Sequence, residues 1–225
     1  MTDHTLYISP EYNPHSLYRD WGFFMRTSSP DIYTCLSQGP DLATLRQTLF
    51  DTLFDSLLDQ ATGQTGTSHP PGKSPAKVTT DAVTDDAPQL CQEVGLDTLT
   101  LALLADVPIH RPLHLSHNNL IGQWRWLRQV WRVCAPLPPV AVATPTAPPK
   151  PQADMIAALV QGRNNTAIAL LRQSFQPFAS DGDGKTGICL QTFLANLTVF
   201  CPFIGTELLW RQGMVTASKD KGMIE

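Results

Sequence analysis

The chain has 225 residues, 42% of them hydrophobic, with a formal charge of −4. That is enough length to bury a core, as one large domain or two small ones. The acidic balance excludes a bulk basic field for attracting nucleic acid, so any such contact must be local. Only 16% of residues are charged and 19 are prolines, which suits a chain partly covered by partners and equally a monomer with long loops. The five cysteines, Cys35, Cys91, Cys134, Cys189 and Cys201, are odd in number and contain no CxxC pair. They read as small apolar core residues in a reducing compartment, not as a disulfide framework or zinc site. No apolar run is long enough to span a bilayer, so no membrane insertion is expected. Residues 1–14 have neither the apolar core of a signal peptide nor the arginine-rich face of a transit peptide.

In chain order, Leu6-Tyr7-Ile8 reads as a short strand and 17–25 as an aromatic-rich helix. Asp41 caps an amphipathic helix in which Leu42, Leu45, Leu49, Leu53 and Leu57 recur at helical spacing. Periodicity disappears over 62–84, a Gly, Ser, Thr, Pro and Lys stretch that reads as an exposed loop. Asp86 begins a helix with Pro88 in its first turn, an apolar face of Leu90, Val94, Leu101 and Leu104, and a stop at Pro108. Residues 120–134 form the next helix, with Trp124, Leu127 and Trp131 on one face and Arg125, Arg128 and Arg132 on another. A linker of polyproline character follows over 136–152. Helices at 154–161, 166–178 and 189–200 come next, then a last helix after Pro202 and a tail beyond Gly213 that frays.

Three motifs invite chemistry. Asp181-Gly182-Asp183-Gly184-Lys185-Thr186 lacks the preceding strand and first glycine of a phosphate loop, and Leu190 stands where a calcium loop needs its closing glutamate. It reads as a polar turn between helices. His110, His114 and His117 could share a helical face around a metal, but Pro108 and Pro112 break that helix, so they read as surface loop histidines. Arg111, Arg125, Arg128 and Arg132 with Trp124, Trp126 and Trp131 form the basic-aromatic cluster, able to hold RNA by phosphate pairing and base stacking. A core-facing tryptophan stripe backed by a solvated arginine face gives the same pattern.

Several blocks together resemble the leucyl-tRNA synthetase family of class I aminoacyl-tRNA synthetases, in its bacterial and organellar type. Leu6-Tyr7-Ile8 with Glu11, His15 and Tyr18 is similar to the segment near the family's catalytic site, and 94–101 to the helix after its signature loop. Residues 120–132 are similar to the helix opening its tRNA-binding bundle, 163–168 to its "RFNTAIA" segment, and 200–210 to its "PFAPHxxEELW" segment. The resemblance implies a mainly α chain: a remnant of the class I catalytic domain over 1–107, carrying the flexible loop at 62–84, then an anticodon-binding-type helical bundle over 108–225, carrying the linker at 136–152.

The departures imply lost catalysis. The chain begins too late for the family's ATP-holding "HIGH" segment and has no editing domain. Where "KMSKS" should fall, Lys73 and Lys77 survive among prolines; Ser9-Pro10 replaces paired glycines, and Tyr12 replaces a histidine. The expectation is a non-catalytic relative with no catalytic residue, metal or cofactor. It would be a structural or RNA-contacting subunit of a large protein or ribonucleoprotein assembly, first a mitochondrial ribosome, meeting rRNA or tRNA. Its compartment would be the mitochondrion, with the cytoplasm as the alternative. Half of a split leucyl-tRNA synthetase, or a regulator binding tRNA or a synthetase, are the competing readings. The candidate RNA contacts are Arg125, Arg128, Arg132 and Arg163.

Overall fold

The computed structural model describes residues 11–62, 75–81, 83–139, 150–179, 187–215, 217–218 and 223–224. The expected strand at 6–8, most of the lysine loop including Lys73, the centre of the proline-rich linker and the 181–186 turn lie outside them. The described chain is mainly α. Among these residues, no helix is long and apolar enough to cross a membrane.

Helix α1 (Pro14–Ser28) starts where the Asn13 carboxamide accepts from the His15 amide at 2.9 Å, with Pro14 pre-set for the first turn. A helix not expected from the sequence, α2 (Pro30–Ser37), follows at once, again opened by a proline. Asp41 caps α3 (Leu42–Thr62) by accepting from the Thr44 amide at 2.7 Å. The leucine stripe, from Leu42 through Leu45, Leu49 and Leu53 to Leu57, is buried as its spacing requires.

The 62–84 stretch is not loop throughout. Strand β1 (Val78–Thr80) pairs in parallel with β2 (Leu113–Leu115), Val78 against Leu113 and Thr80 against Leu115. Between them, the single helix expected from Asp86 to a stop at Pro108 is two. Asp86 caps α4 (Ala87–Val94), and Gly95 turns the chain at φ 82° into α5 (Leu96–Leu104). Glycine is required there twice over: φ is positive, and a Cβ would stand 2.5 Å from the Pro14 Cβ. All nine residues of α5 are buried, five of them leucines.

Helix α6 (His117–Cys134) begins three residues before its expected start, because Ser116 and Asn119 form a capping box. Then come α7 (Lys150–Val160), α8 (Asn164–Ala179), α9 (Gly187–Phe200) and α10 (Pro202–Arg211). α9 and α10 form a tight hairpin at Cys201; a Cβ on Gly205 would lie 2.4 Å from the Thr198 Cα. The tail read as fraying contains a short antiparallel pair, β3 (Ala217–Ser218) with β4 (Met223–Ile224).

α5 is the axle of the molecule, in contact with α3, α4, α6, α8, α9, α10 and β2. The buried cluster accordingly runs without a break from Tyr12 to Leu208, across the expected division at 107/108. Three polar side chains fix the axle's ends. Arg46 of α3 is 1% exposed and donates to the carbonyls of Leu103 (2.8 Å), Val107 (3.1 Å), Pro108 (3.0 Å) and Arg111 (2.8 Å). Asn164 of α8 donates to the carbonyls of Leu104 and, at 3.0 Å, Val107. Together they satisfy acceptors that the end of α5 leaves without an intrahelical partner. At the other end Asp97 accepts from the amides of Phe203 (3.3 Å) and Ile204 (2.8 Å), capping α10 from a neighbouring helix. Burial pushes its carboxyl up to about 7, against the opposing pull of those amides.

Candidate nucleic-acid interface

α6 separates its residues by period. Leu120, Gln123, Leu127, Val130, Trp131 and Cys134 are buried, while Arg125 and Arg132 are exposed and Arg128 is half-buried. At three and seven residues from Arg125, Arg128 and Arg132 share its helical face. The expected stripe of Trp124, Leu127 and Trp131 is less uniform: Leu127 and Trp131 are buried, and Trp124 is half-buried at the edge.

The indoles have a specific partner chemistry. The Arg128 guanidinium lies over Trp124 at 5.3 Å, Arg172 over Trp126 at 5.3 Å, and Arg211 over Trp131 at 4.5 Å. Each of the three indoles of α6 therefore has a guanidinium on its face. Tyr12 wedges between two of them, its ring 6.3 Å from Trp124 and 6.2 Å from Trp131. Burial, and then the charge of Asp97, push the Tyr12 phenol well above its usual range.

Arg211 is anchored from behind. Its Nε donates to Glu207 Oε1 at 2.7 Å, and the other carboxylate oxygen accepts from the Trp21 indole at 2.6 Å. Glu207 sits mid-helix in α10, buried, and ties α10 to α1.

Arg128, Arg132 and Arg211 line one open cleft of about 340 Å³, with Tyr12, Trp131 and Glu11. Arg125 lies on the same helix face but outside it. Arg163 stands apart, in the turn between α7 and α8, where it bonds Gln161; that turn is tied to the loop after α5 by Ile109 N–H to Gly162 O at 3.2 Å. Arg111 contributes a carbonyl to Arg46. Of the histidines, His114 is in β2, not a loop, and faces Asp81 at 3.4 Å, while His117 opens α6.

Arg46, Arg211 and Arg172 were not singled out by motif reading, yet periodicity points to two of them. Arg46 falls on the apolar stripe of α3, between Leu42 and Leu49. Arg211 follows Glu207 at the i+4 spacing of a helical ion pair. A second groove of about 410 Å³, lined by Pro14, His15, Tyr18, Tyr33, Leu36 and Cys91 among others, lies between α1, α2 and α4. Burial pushes the Cys91 thiol up to about 12, which leaves it a poor nucleophile.

No family model and no curated protein matches this chain.

Proposed function

We propose that this chain is a non-catalytic, leucyl-tRNA synthetase-like protein that serves as a structural, RNA-contacting subunit of a ribonucleoprotein assembly, first a mitochondrial ribosome. The carrying observation is the division of labour in α6: an apolar face locked into the core and an arginine face, Arg125, Arg128 and Arg132, turned outward. Guanidiniums on a rigid helix suit the phosphates of a folded RNA. The polar residues of the synthetase-like segments support a scaffold role. Asp97, Asn164 and Glu207 are all buried and engaged in holding helices together. The acidic total charge keeps the RNA contact local.

The test is sedimentation of native extracts. The protein should travel with a large particle and shift to light fractions after ribonuclease treatment. Sedimentation alone, with no RNA attached, would sink the proposal, as would leucine-dependent pyrophosphate exchange by the purified chain.

A further inference from the structure

We infer that Asp97 is a proton-held latch on α10: the last helix stays docked while the Asp97 carboxyl keeps its proton, and its docking loosens once the proton leaves. The inference is independent of the RNA-contacting role proposed above.

Helix α10 has no cap of its own. Its N-cap residue, Cys201, makes no side-chain bond to the first turn, and Pro202 interrupts the hydrogen-bond ladder from α9. The first-turn amides of Phe203 and Ile204 are met instead by Asp97, from α5. As the last helix, α10 can open without unravelling the elements before it.

Asp97 is 2% exposed, and among the described residues no lysine, arginine or histidine forms an ion pair with it. A buried carboxylate without a cation is costly, so the site favours the neutral acid. The two amides pull the other way, and burial outweighs them. The neutral acid brings an O–H that needs an acceptor. The Tyr12 hydroxyl is buried, has no hydrogen-bond partner among the described residues and lies near enough to feel the Asp97 charge, so its oxygen suits that role.

The neighbouring ionisable groups do not compete. The Asp97 charge acts on Tyr12, on Cys91 of α4 and on Cys201, and burial holds all three protonated at neutral pH. Arg172 of α8 is turned to Gln123 and Trp126. Arg46 of α3 is bound at the opposite end of α5, and on α10 Glu207 and Arg211 pair with each other.

Opening α10 gives Asp97 water, where its carboxyl ionises near its ordinary 3.8 instead of about 7. Between those values the open form releases a proton that the docked form keeps. Rising pH therefore favours opening from about 4 to about 7, and the effect levels off above.

The experiment follows amide hydrogen exchange of the full chain from about pH 5 to about pH 8, in wild type and in Asp97→Asn. The variant has no titrating group at this position, so the ratio of the two rates cancels the intrinsic pH dependence of exchange. The α10 amides of wild type should exchange faster than those of α3, and their rate relative to Asp97→Asn should rise more than about tenfold over the range. An infrared band of a protonated carboxyl, missing from Asp97→Asn, should fade with a midpoint near 7.

A flat ratio, or a carboxyl already ionised at the acid end, overturns the latch. So does exchange of α10 and α3 at one common rate, which would tie Asp97 to global stability alone. Should Asp97→Asn fail to fold, the infrared titration of wild type and its α10-to-α3 comparison decide the matter.

Discussion

Arg46 and Arg128 are the same side chain in opposite settings, and the contrast separates the inside of this molecule from its surface. The Arg46 guanidinium is wrapped by four backbone carbonyls at 2.8–3.1 Å. Burial lowers its pKa to about 10, which still leaves it charged at neutral pH. Arg128 lies across an indole at the margin of an open cleft. The difference is set by what surrounds each one. A helix ending inside a core exposes carbonyls that only a multi-donor group can satisfy together. A helix at the surface gives its arginines an aromatic to lie on and water to face.

The contrast breaks most visibly at Arg46. Arg46→Ala should cost about 4 kcal/mol in urea unfolding, because it strands buried acceptors at the end of α5. Arg46→Lys should recover little, since one ammonium cannot span four carbonyls. Survival of Arg46→Ala at near wild-type stability would mean that water replaces the guanidinium and that the interior is wetter than its packing implies.

Gly205→Ala comes next, at about 2–3 kcal/mol, since the added methyl meets the backbone Cα and N of Thr198 as well as its hydroxyl. A thermal melt would check it; an unchanged midpoint would mean that the α9–α10 hairpin can open without loss.

Asp97 gives a smaller effect with a definite sign. Its pKa rises from 3.8 to about 7 on folding. Between those values the folded chain holds a proton that the unfolded chain has released. Its contribution is therefore fully present below about pH 4 and falls as pH rises through 7. Asp97→Asn mimics the protonated acid, with one acceptor and one donor group, and should stay close to wild type in acid. It should gain on wild type as pH rises through 7, where only Asp97 acquires a buried charge. A parallel pair of stability–pH curves would refute the assignment.

The smallest stability effect belongs to the exposed arginine face of α6. Arg132→Ala should stay within about 0.5 kcal/mol of wild type in urea, while RNA binding falls. A large loss of stability there would place Arg132 with Arg46, among the structural arginines.

Much of this plan can be read from the residues where periodicity is long. The leucines of α3 and the apolar stripe of α6 mark their buried faces, and Asp41 and Asp86 mark true caps. Three-residue strands such as β1 and β2 carry too little pattern to stand out, and their pairing depends on a partner more than thirty residues away. The break at Gly95 is hidden because an apolar run continues through it; its cause, Pro14, lies far off in sequence. For the site, the arginine face of α6 is visible, while Arg211 shows only as a helical pair with Glu207; its place over Trp131 exists only once α10 has docked on α6. Arg163 shows the converse: a promising letter in a synthetase-like segment, placed by the fold beside a different loop.

The fully buried α5 has a consequence for how the chain is made. Its nine residues, Leu96–Leu104, leave the synthetic machinery long before the segment that covers them, since Asp97 and its partner Ile204 are 107 positions apart. Throughout that interval an uncharged leucine-rich stretch follows Asp97 with no cover from α8, α9 or α10. Long separations of this kind delay closure and favour association between nascent chains. Shortened forms ending before residue 187 should therefore be sticky and bound by chaperones, and the last helices of this protein act as the lid on its first hydrophobic risk.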